Sequence, residues 1–259
     1  MNAPLLAATG ISKTYANGSR RVAALDQASV AVTHGQTLGL VGSSGSGKST
    51  LARILLRLIE PDAGRIDFAG VDLLSLRGEK LRAIRRHIQM VFQDPLSAFN
   101  PRATVGSALA DPLRIHAIAN PSELRAAVAD LLERVGLGPA LALRAIHEIS
   151  GGQRQRVAIA RAIATKPDLI VLDEALSALD VSVRGKILDL LVDLQREHGI
   201  AYIFVSHDLA VVRAISHRIA VMDAGQIVEH GPARDVVANP QSAAGRALVA
   251  AVPRLRLNA

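Results

Sequence analysis

The stretch that most constrains this chain is Gly42-Ser43-Ser44-Gly45-Ser46-Gly47-Lys48-Ser49. It fits the pattern G-x-x-x-x-G-K-[ST] in full. The apolar run TLGLV precedes it and the apolar run LARILLRL (51–58) follows, so the sequence predicts a buried strand, a tight loop and a helix. That context is what the pattern requires. Glycines let backbone N–H groups curl around phosphate oxygens. Lys48 brings a positive charge to the β- and γ-phosphates, and the Ser49 hydroxyl, followed by Thr50, can bind Mg²⁺. A glycine-rich turn with a chance lysine would leave the flanking strand and helix unexplained.

A phosphate cradle with a magnesium-binding hydroxyl calls for acids, and LIVLDE (169–174) supplies them. Four apolar residues followed by two carboxylates read as a buried parallel strand whose acids emerge at its carboxyl end. Asp173 would hold Mg²⁺ through water, and Glu174 would orient and polarise an attacking water. AYIFVSHDL (201–209) is a second such strand, ending in Ser206-His207-Asp208. His207 there can reach a γ-phosphate, or serve as an ordinary polar loop residue. Gln93, after the strand-like MVF, can touch Mg²⁺ and the lytic water, or be a solvated loop amide. Tyr15 can stack on a base or pack along an edge strand.

Strands alternating with helices indicate an α/β chain with a mostly parallel sheet. The expected architecture is a P-loop NTPase core, an N-terminal antiparallel β subdomain and an inserted α-helical subdomain. ISKTY and RVAAL flank Asn17-Gly18, a hairpin signal. ASVAV leads through His34-Gly35 into TLGLV, and GRIDFAG reads as a short edge strand. Residues 95–160 show little strand character. Within them a helix starts at Pro121 and Ser122, with Leu124, Val128, Leu131, Leu132 and Val135 on one face. Further helices are predicted over 182–197, closed near Gly199, and over 208–215. RIAVM and QIVEHG, joined by Asp223-Ala224-Gly225, read as a hairpin. The chain divides into a nucleotide-binding core with its β subdomain (1–93 and 160–235), a helical subdomain (94–159) and a tail (236–259).

With 259 residues, 49% of them apolar, the chain can bury a substantial core, and an aromatic fraction of 2% means that core is aliphatic. The absence of cysteine excludes disulfides, iron–sulfur clusters and cysteine-ligated zinc. A net charge of +7 suits nucleic acid, anionic headgroups or a merely basic surface. No run approaches the roughly 18 apolar residues of a membrane span. The segment MNAPLLAATGISK has no basic region ahead of its apolar stretch, so no secretory signal and a cytoplasmic location are expected.

The stretch HEISGGQRQRVAIARA (147–162) poses a separate question. Ser150 can cap a helix, and Gly151 and Gly152 leave its first turn uncluttered, so its N–H groups present partial positive charge. In isolation this is a plain helix cap. But one nucleotide needs one cradle, and 42–49 already provides it. A second anion site makes sense if it faces the nucleotide of another molecule. Two chains packed head to tail would then enclose two nucleotides.

This set of motifs, in this order, resembles the ATPase subunit of an ATP-binding-cassette transporter over residues 5 to about 235. The resemblance rests on GSSGSGKST, Gln93, ISGGQ, LIVLDE, SALD (177–180) and His207. It implies that Tyr15 stacks on adenine and that Ser150, Gly152 and Gln153 complete a partner's site. It also implies that Asp180 signals across the dimer, and that the region after Gln93 touches a membrane subunit's coupling helix. QDPLSAFNPRATV, ALDVSVRGKILDLL and IVEHGPARDVVANP are similar to the importers of dipeptides, oligopeptides and nickel. Ile149 stands where that family usually has Leu, and Ala175-Leu176 where it has Ala-Thr or Pro-Thr.

The resemblance thus implies ATP and Mg²⁺, integral-membrane permease subunits and a second cassette, a heterodimer being favoured. It further implies an extracytoplasmic solute-binding protein, peripheral attachment at the cytoplasmic face of the inner membrane, and no nucleic acid partner. The other expectations are a cassette subunit of a phosphonate-degrading complex, or a soluble cassette acting on nucleic acid or ribosomes.

Overall fold

The computed structural model describes residues 3–17, 20–177 and 179–251. The chain forms two compact units, one made of residues up to Leu76 together with those from Ala201 onward, the other of Arg77–Ile200.

The first unit begins with β1 (Leu6–Asn17) and β2 (Arg20–Val32), an antiparallel pair in which Leu6 faces Val32 and Asn17 faces Arg20. Gly18 of the predicted turn lies outside the described residues. β3 (Thr37–Gly42) is buried along its whole length, as its unbroken apolar run predicts. α1 (Lys48–Leu55) starts three residues earlier than the apolar run LARILLRL, so Lys48 and Ser49 belong to its first turn. It also ends earlier. Arg57 takes a left-handed φ of 51° and buries its guanidinium against Glu60 and the carbonyls of Leu73 and Leu76, while Leu58 is half exposed.

β4 (Ala63–Phe68) and β5 (Val71–Asp72) complete an antiparallel sheet in the order β2-β1-β4-β5. GRIDF is therefore not the edge strand expected. A turn with positive φ at Ala69 and Gly70 folds Val71 and Asp72 back onto it, and two residues are too few to show a period in the sequence.

The second unit runs through α2 (Gly78–Arg85), β6 (Ile88–Val91), α3 (Val105–Ile115), α4 (Leu124–Arg134), α5 (Gly151–Ile163), β7 (Leu169–Asp173) and α6 (Val181–His198). β6 and β7 are parallel, with Ile88 opposite Leu169 and Val91 opposite Leu172. Residues 95–160 contain no named strand, in keeping with the helical reading. Val128, Leu131, Leu132 and Val135 are buried as their spacing predicts, but the helix begins at Leu124, after a turn in which the Glu123 carboxylate accepts from Asn120 N.

Returning to the first unit, β8 (Ala201–Val205), α7 (Leu209–Ile215), β9 (Arg218–Asp223), β10 (Gln226–Pro232), α8 (Ala233–Ala238) and α9 (Ala243–Ala251) follow. β3 lies parallel to both β8 and β9, and β10 pairs antiparallel with β9 across the predicted Ala224-Gly225 turn. The result is an α/β chain with mostly parallel central strands and a separate antiparallel sheet. Its core is aliphatic, with Tyr202, Phe68 and Phe204 its largest fully buried side chains.

Candidate active site

In the first unit the loop 43–47 carries the chain from the end of β3 into α1. Two glycines, Gly42 at the end of β3 and Gly47 in the loop, are sterically required. A Cβ at Gly42 would stand 2.2 Å from the Met222 carbonyl oxygen, and one at Gly47 would stand 2.4 Å from that of Ala24. Gly47 also adopts φ 104°, which L side chains rarely take. The loop is thus pressed against β2 and β9. The β9–β10 turn braces it as well, since Gly225 N donates to the Ser46 carbonyl at 3.0 Å. Sequence reasoning missed this brace, because nothing at Met222, Ala24 or Gly225 advertises a contact with a loop so distant in the chain.

Lys48 is 5% exposed. Its ammonium donates to the Gly42 carbonyl (3.0 Å), the Ser43 carbonyl (2.6 Å) and Ser46 Oγ (3.3 Å). The charge is therefore held inside the curl of the loop. Ser43, Ser44 and Gly45 are exposed at the rim, and Ser49 and Thr50 are half-buried in the first helical turn. The cradle's shape and its single buried ammonium fit a polyphosphate.

Two further predicted residues belong to this unit. Tyr15 on β1 is 39% exposed and lies opposite Val22, itself exposed, so its ring is presented rather than packed away. Lys13 Nζ stands 5.8 Å from the ring centroid and pairs with Asp62 at 2.8 Å. The hydrogen bond from Lys13, with another from Thr14 N, holds the Asp62 carboxyl below the usual range. His207 follows β8 and is exposed. Its position is fixed by a helix start: Ser206 Oγ accepts from Asp208 N, and Asp208 caps α7 by accepting from Ala210 N and Val211 N. The helix therefore begins at 209, not 208.

In the second unit, Asp173 ends β7 and is buried, while Glu174 follows at φ 47°. The Glu174 carbonyl accepts from Ser177 N (3.1 Å) and Ser177 Oγ (2.9 Å), which fixes this left-handed turn. Because β6 and β7 are parallel neighbours, Gln93 emerges at the same end. Its Nε2 donates to Glu174 Oε2 at 3.0 Å. The two residues that sequence reasoning placed at an attacking water are thus brought together, 81 positions apart.

Ser150 caps α5 as predicted, and reciprocally. Gln153 N donates to Ser150 Oγ (3.3 Å), and Ser150 N donates to Gln153 Oε1 (3.0 Å). Asp180 is the N-cap of α6, with Oδ1 accepting from Val183 N at 2.9 Å. Among the described residues, no cluster of three or more His, Asp or Glu side chains could hold a metal on its own. The Ser49 hydroxyl in the first unit, and the Gln93 amide oxygen and Asp173 carboxylate in the second, are hard oxygen donors of the type that Mg²⁺ takes.

Residues 25–177 match the family described as ABC transporter. The chain belongs to the ABC transporter family. Its curated relatives include the glutathione import ATP-binding protein GsiA of Escherichia coli O6:H1, 56% identical over 235 residues. The same protein of Salmonella paratyphi A is 57% identical over 235 residues. In both cases the match takes in 91% of this chain and 38% of the relative, so the chain spans well under half the length of those proteins.

Among solved structures, the ATP-binding cassette MJ0796, in a dimeric post-hydrolysis state with ADP and Pi, aligns with TM-score 0.81 at 31% identity. That alignment covers 88% of this chain and 99% of the other. The protein cbiO1 of Clostridium perfringens, described as part of the ABC transporter complex cbiONQ, aligns with TM-score 0.79 at 29% identity over 92% of each chain. The fold of this ABC chain is that of an ATP-binding cassette. Among its described residues no helix is long and apolar enough to cross a membrane.

Proposed function

We propose that this chain is the ATP-hydrolysing cassette of an importer, coupling ATP binding and hydrolysis to uptake of a small solute through a separate permease. The observation that carries the reading is the Gln93–Glu174 pair at the carboxyl end of β6 and β7, in a chain that also builds a complete phosphate cradle around Lys48. The similarity to a cassette found with ADP and Pi supports hydrolysis, and the similarity to glutathione import proteins supports a short peptide-like solute.

In this reading the loop N–H groups from Gly42 to Ser49 bind the β- and γ-phosphate oxygens, and Lys48 neutralises the charge that develops there. Tyr15 stacks on the adenine. Ser49, Gln93 and Asp173 would hold Mg²⁺, which would supply positive charge to offset that of the phosphates. Glu174 accepts a hydrogen bond from the water that attacks the γ-phosphorus, and Gln93 fixes the carboxylate's orientation. His207 donates to the γ-phosphate. Ser150, Gly151, Gly152 and Gln153 face the nucleotide bound by a second cassette, and Asp180 lies at the junction between the two. Positioning and electrostatics do most of the work in phosphoryl transfer.

The proposed partners are permease subunits, a second cassette (a different chain being favoured) and a solute-binding protein, at the cytoplasmic face of the membrane. Recovery of these proteins with the tagged chain from solubilised membranes, identified by mass spectrometry, tests the assembly.

Glu174→Gln tests the chemistry. It keeps the shape and the hydrogen bond to Gln93 but removes the negative charge. Hydrolysis is expected to fall by about 100-fold or more, while ATP binding persists and a closed dimer accumulates on size-exclusion chromatography with ATP. A variant that hydrolyses at the normal rate removes Glu174 from this role.

A further inference from the structure

The two glycines that open α5 are not equivalent. A Cβ built on Gly151 meets nothing within 4 Å, whereas one built on Gly152 stands 2.9 Å from Val183 Cγ1 and 3.7 Å from Val183 Cγ2. A comfortable carbon–carbon separation is about 3.5–4.0 Å, so a methyl at 152 is roughly 0.6 Å too close. Val183 cannot swing aside cheaply. Its methyls sit directly on Cβ, and a β-branched residue in a helix keeps essentially one χ1 rotamer. Nor can the backbone beneath it yield easily, because Val183 N donates to the Asp180 cap at 2.9 Å, and Arg184 N donates to the Asp180 carbonyl at 2.9 Å.

We infer that Val183 is a positioning residue. It fills the space that the missing side chain of Gly152 leaves, and so fixes the first turn of α5 against the first turn of α6. Gly151 stays bare towards open space, where a phosphate can approach its backbone. Gly152 stays bare to admit Val183. The Ser150 cap and the Asp180 cap, on two different helices, are thereby locked into one block, so a displacement of Asp180 is transmitted to the N–H groups at 151 and 152. The inference rests on the proposed role of Ser150–Gln153 towards a partner's nucleotide.

Second-site rescue tests it. Gly152→Ala, Val183→Ala and the double variant are compared with the unsubstituted chain for kcat and KM for ATP, each assembled with the second cassette and permease subunits, and for thermal unfolding. Truncating Val183 removes both Cγ atoms and leaves its Cβ as the nearest remaining atom at 3.9 Å, an ordinary contact. Gly152→Ala is expected to lower kcat at least tenfold with KM changed less than threefold, the split of a group that acts after ATP is bound. Val183→Ala alone lowers kcat about threefold, and the double variant returns to within about threefold of Val183→Ala.

Alanine is the better helix former, so a lower melting temperature in Gly152→Ala that the second substitution restores marks the contact itself. If the double variant melts normally but hydrolyses no better than Gly152→Ala, the space at 152 is reserved for the nucleotide and the inference fails. If Gly152→Ala has full kcat, it fails as well. A silent unsubstituted chain, assayed together with the second cassette and permease subunits recovered with it, would instead overturn the proposed ATPase function, which separates the two failures.

Discussion

Glu174 answers two demands that pull in opposite directions. Its φ of 47° puts it in the left-handed region, where a Cβ crowds the carbonyl that follows. That crowding costs about 1–2 kcal/mol per residue. Glycine escapes it, but ordering a glycine costs about 0.5–1 kcal/mol more than ordering an alanine. Taken at the middle of each range, the balance leaves Glu174→Gly about 0.75 kcal/mol more stable than Glu174→Ala. Both variants lose the carboxylate and the 3.0 Å bond from Gln93, so that loss cancels in the comparison. For a protein of this size 1 kcal/mol moves Tm by about 2–4 °C, so the glycine variant is expected to melt roughly 1–4 °C above the alanine variant. In the proposed function neither hydrolyses ATP at an appreciable rate. Thermal unfolding followed by circular dichroism, alongside a phosphate-release assay, measures both. Equal melting temperatures, or an alanine variant that melts higher, would refute the claim that the backbone at 174 is strained in order to hold a carboxylate there.

Ser150→Ala removes one half of the reciprocal cap on α5 and is expected to cost about 1 kcal/mol, read as a lower denaturation midpoint in urea, with Ser150→Asp recovering most of it. The start of α9 offers a pH test. The Glu229 carboxylate accepts from Gln241 N (2.8 Å), Ser242 N (2.9 Å) and Ser242 Oγ (2.6 Å). Burial pushes this carboxyl up, but the Ser242 hydroxyl, the two backbone donors and the nearby Arg246 charge outweigh it, so the group lies below the usual range. A lowered carboxyl stabilises fully above its ordinary pKa of about 4.3 and ceases to do so as pH falls through the lowered value. Amide exchange at 241–246 is therefore expected to accelerate below about pH 4, and Glu229→Gln to exchange fast with little pH dependence of protection.

What was legible in the sequence follows from the range of the interaction that creates it. The strands at 169–173 and 201–205 have the predicted limits because an unbroken apolar run that ends in polar residues marks a strand buried on both faces. The cap at Ser150 and the hairpin at Asp223-Ala224-Gly225 are local chemistry, readable within a few residues. The start of α1 was misplaced because Lys48 and Ser49 continue the polar composition of the loop, and only the backbone shows that they are helical. β5 was missed because a two-residue strand has no period. The Gln93–Glu174 bond could be expected as a shared role but not as a contact, since its two halves lie on strands whose adjacency is a property of the fold. Gly47 and Gly152 read as glycines of a phosphate loop and of a helix start. Which neighbour forbids their side chains, Ala24 in one case and Val183 in the other, is written only in three dimensions.

The hydrogen bonds also explain how such a site can be built without leaving its charges uncompensated. The acceptors of Lys48 include the loop carbonyls of Gly42 and Ser43, with which an incoming phosphate would compete. A phosphate oxygen carries a full negative charge and a carbonyl oxygen does not, so the ammonium is attracted to the phosphate more strongly. Glu174 Oε2 accepts from the Gln93 amide. That bond orients the carboxylate, and a carboxylate with about four acceptor positions can take a water as well. At α5 the reciprocal cap engages the N–H groups of Ser150 and Gln153 with each other's side chains. Helix geometry gives the N–H groups of Gly151 and Gly152 no acceptor within their own helix. Those two donors, with the Ser150 hydroxyl proton, form a short positively polarised ledge. In the proposed assembly it is the surface that a second cassette's triphosphate would close upon. The same cap that stabilises the helix therefore selects which donors are presented to that phosphate.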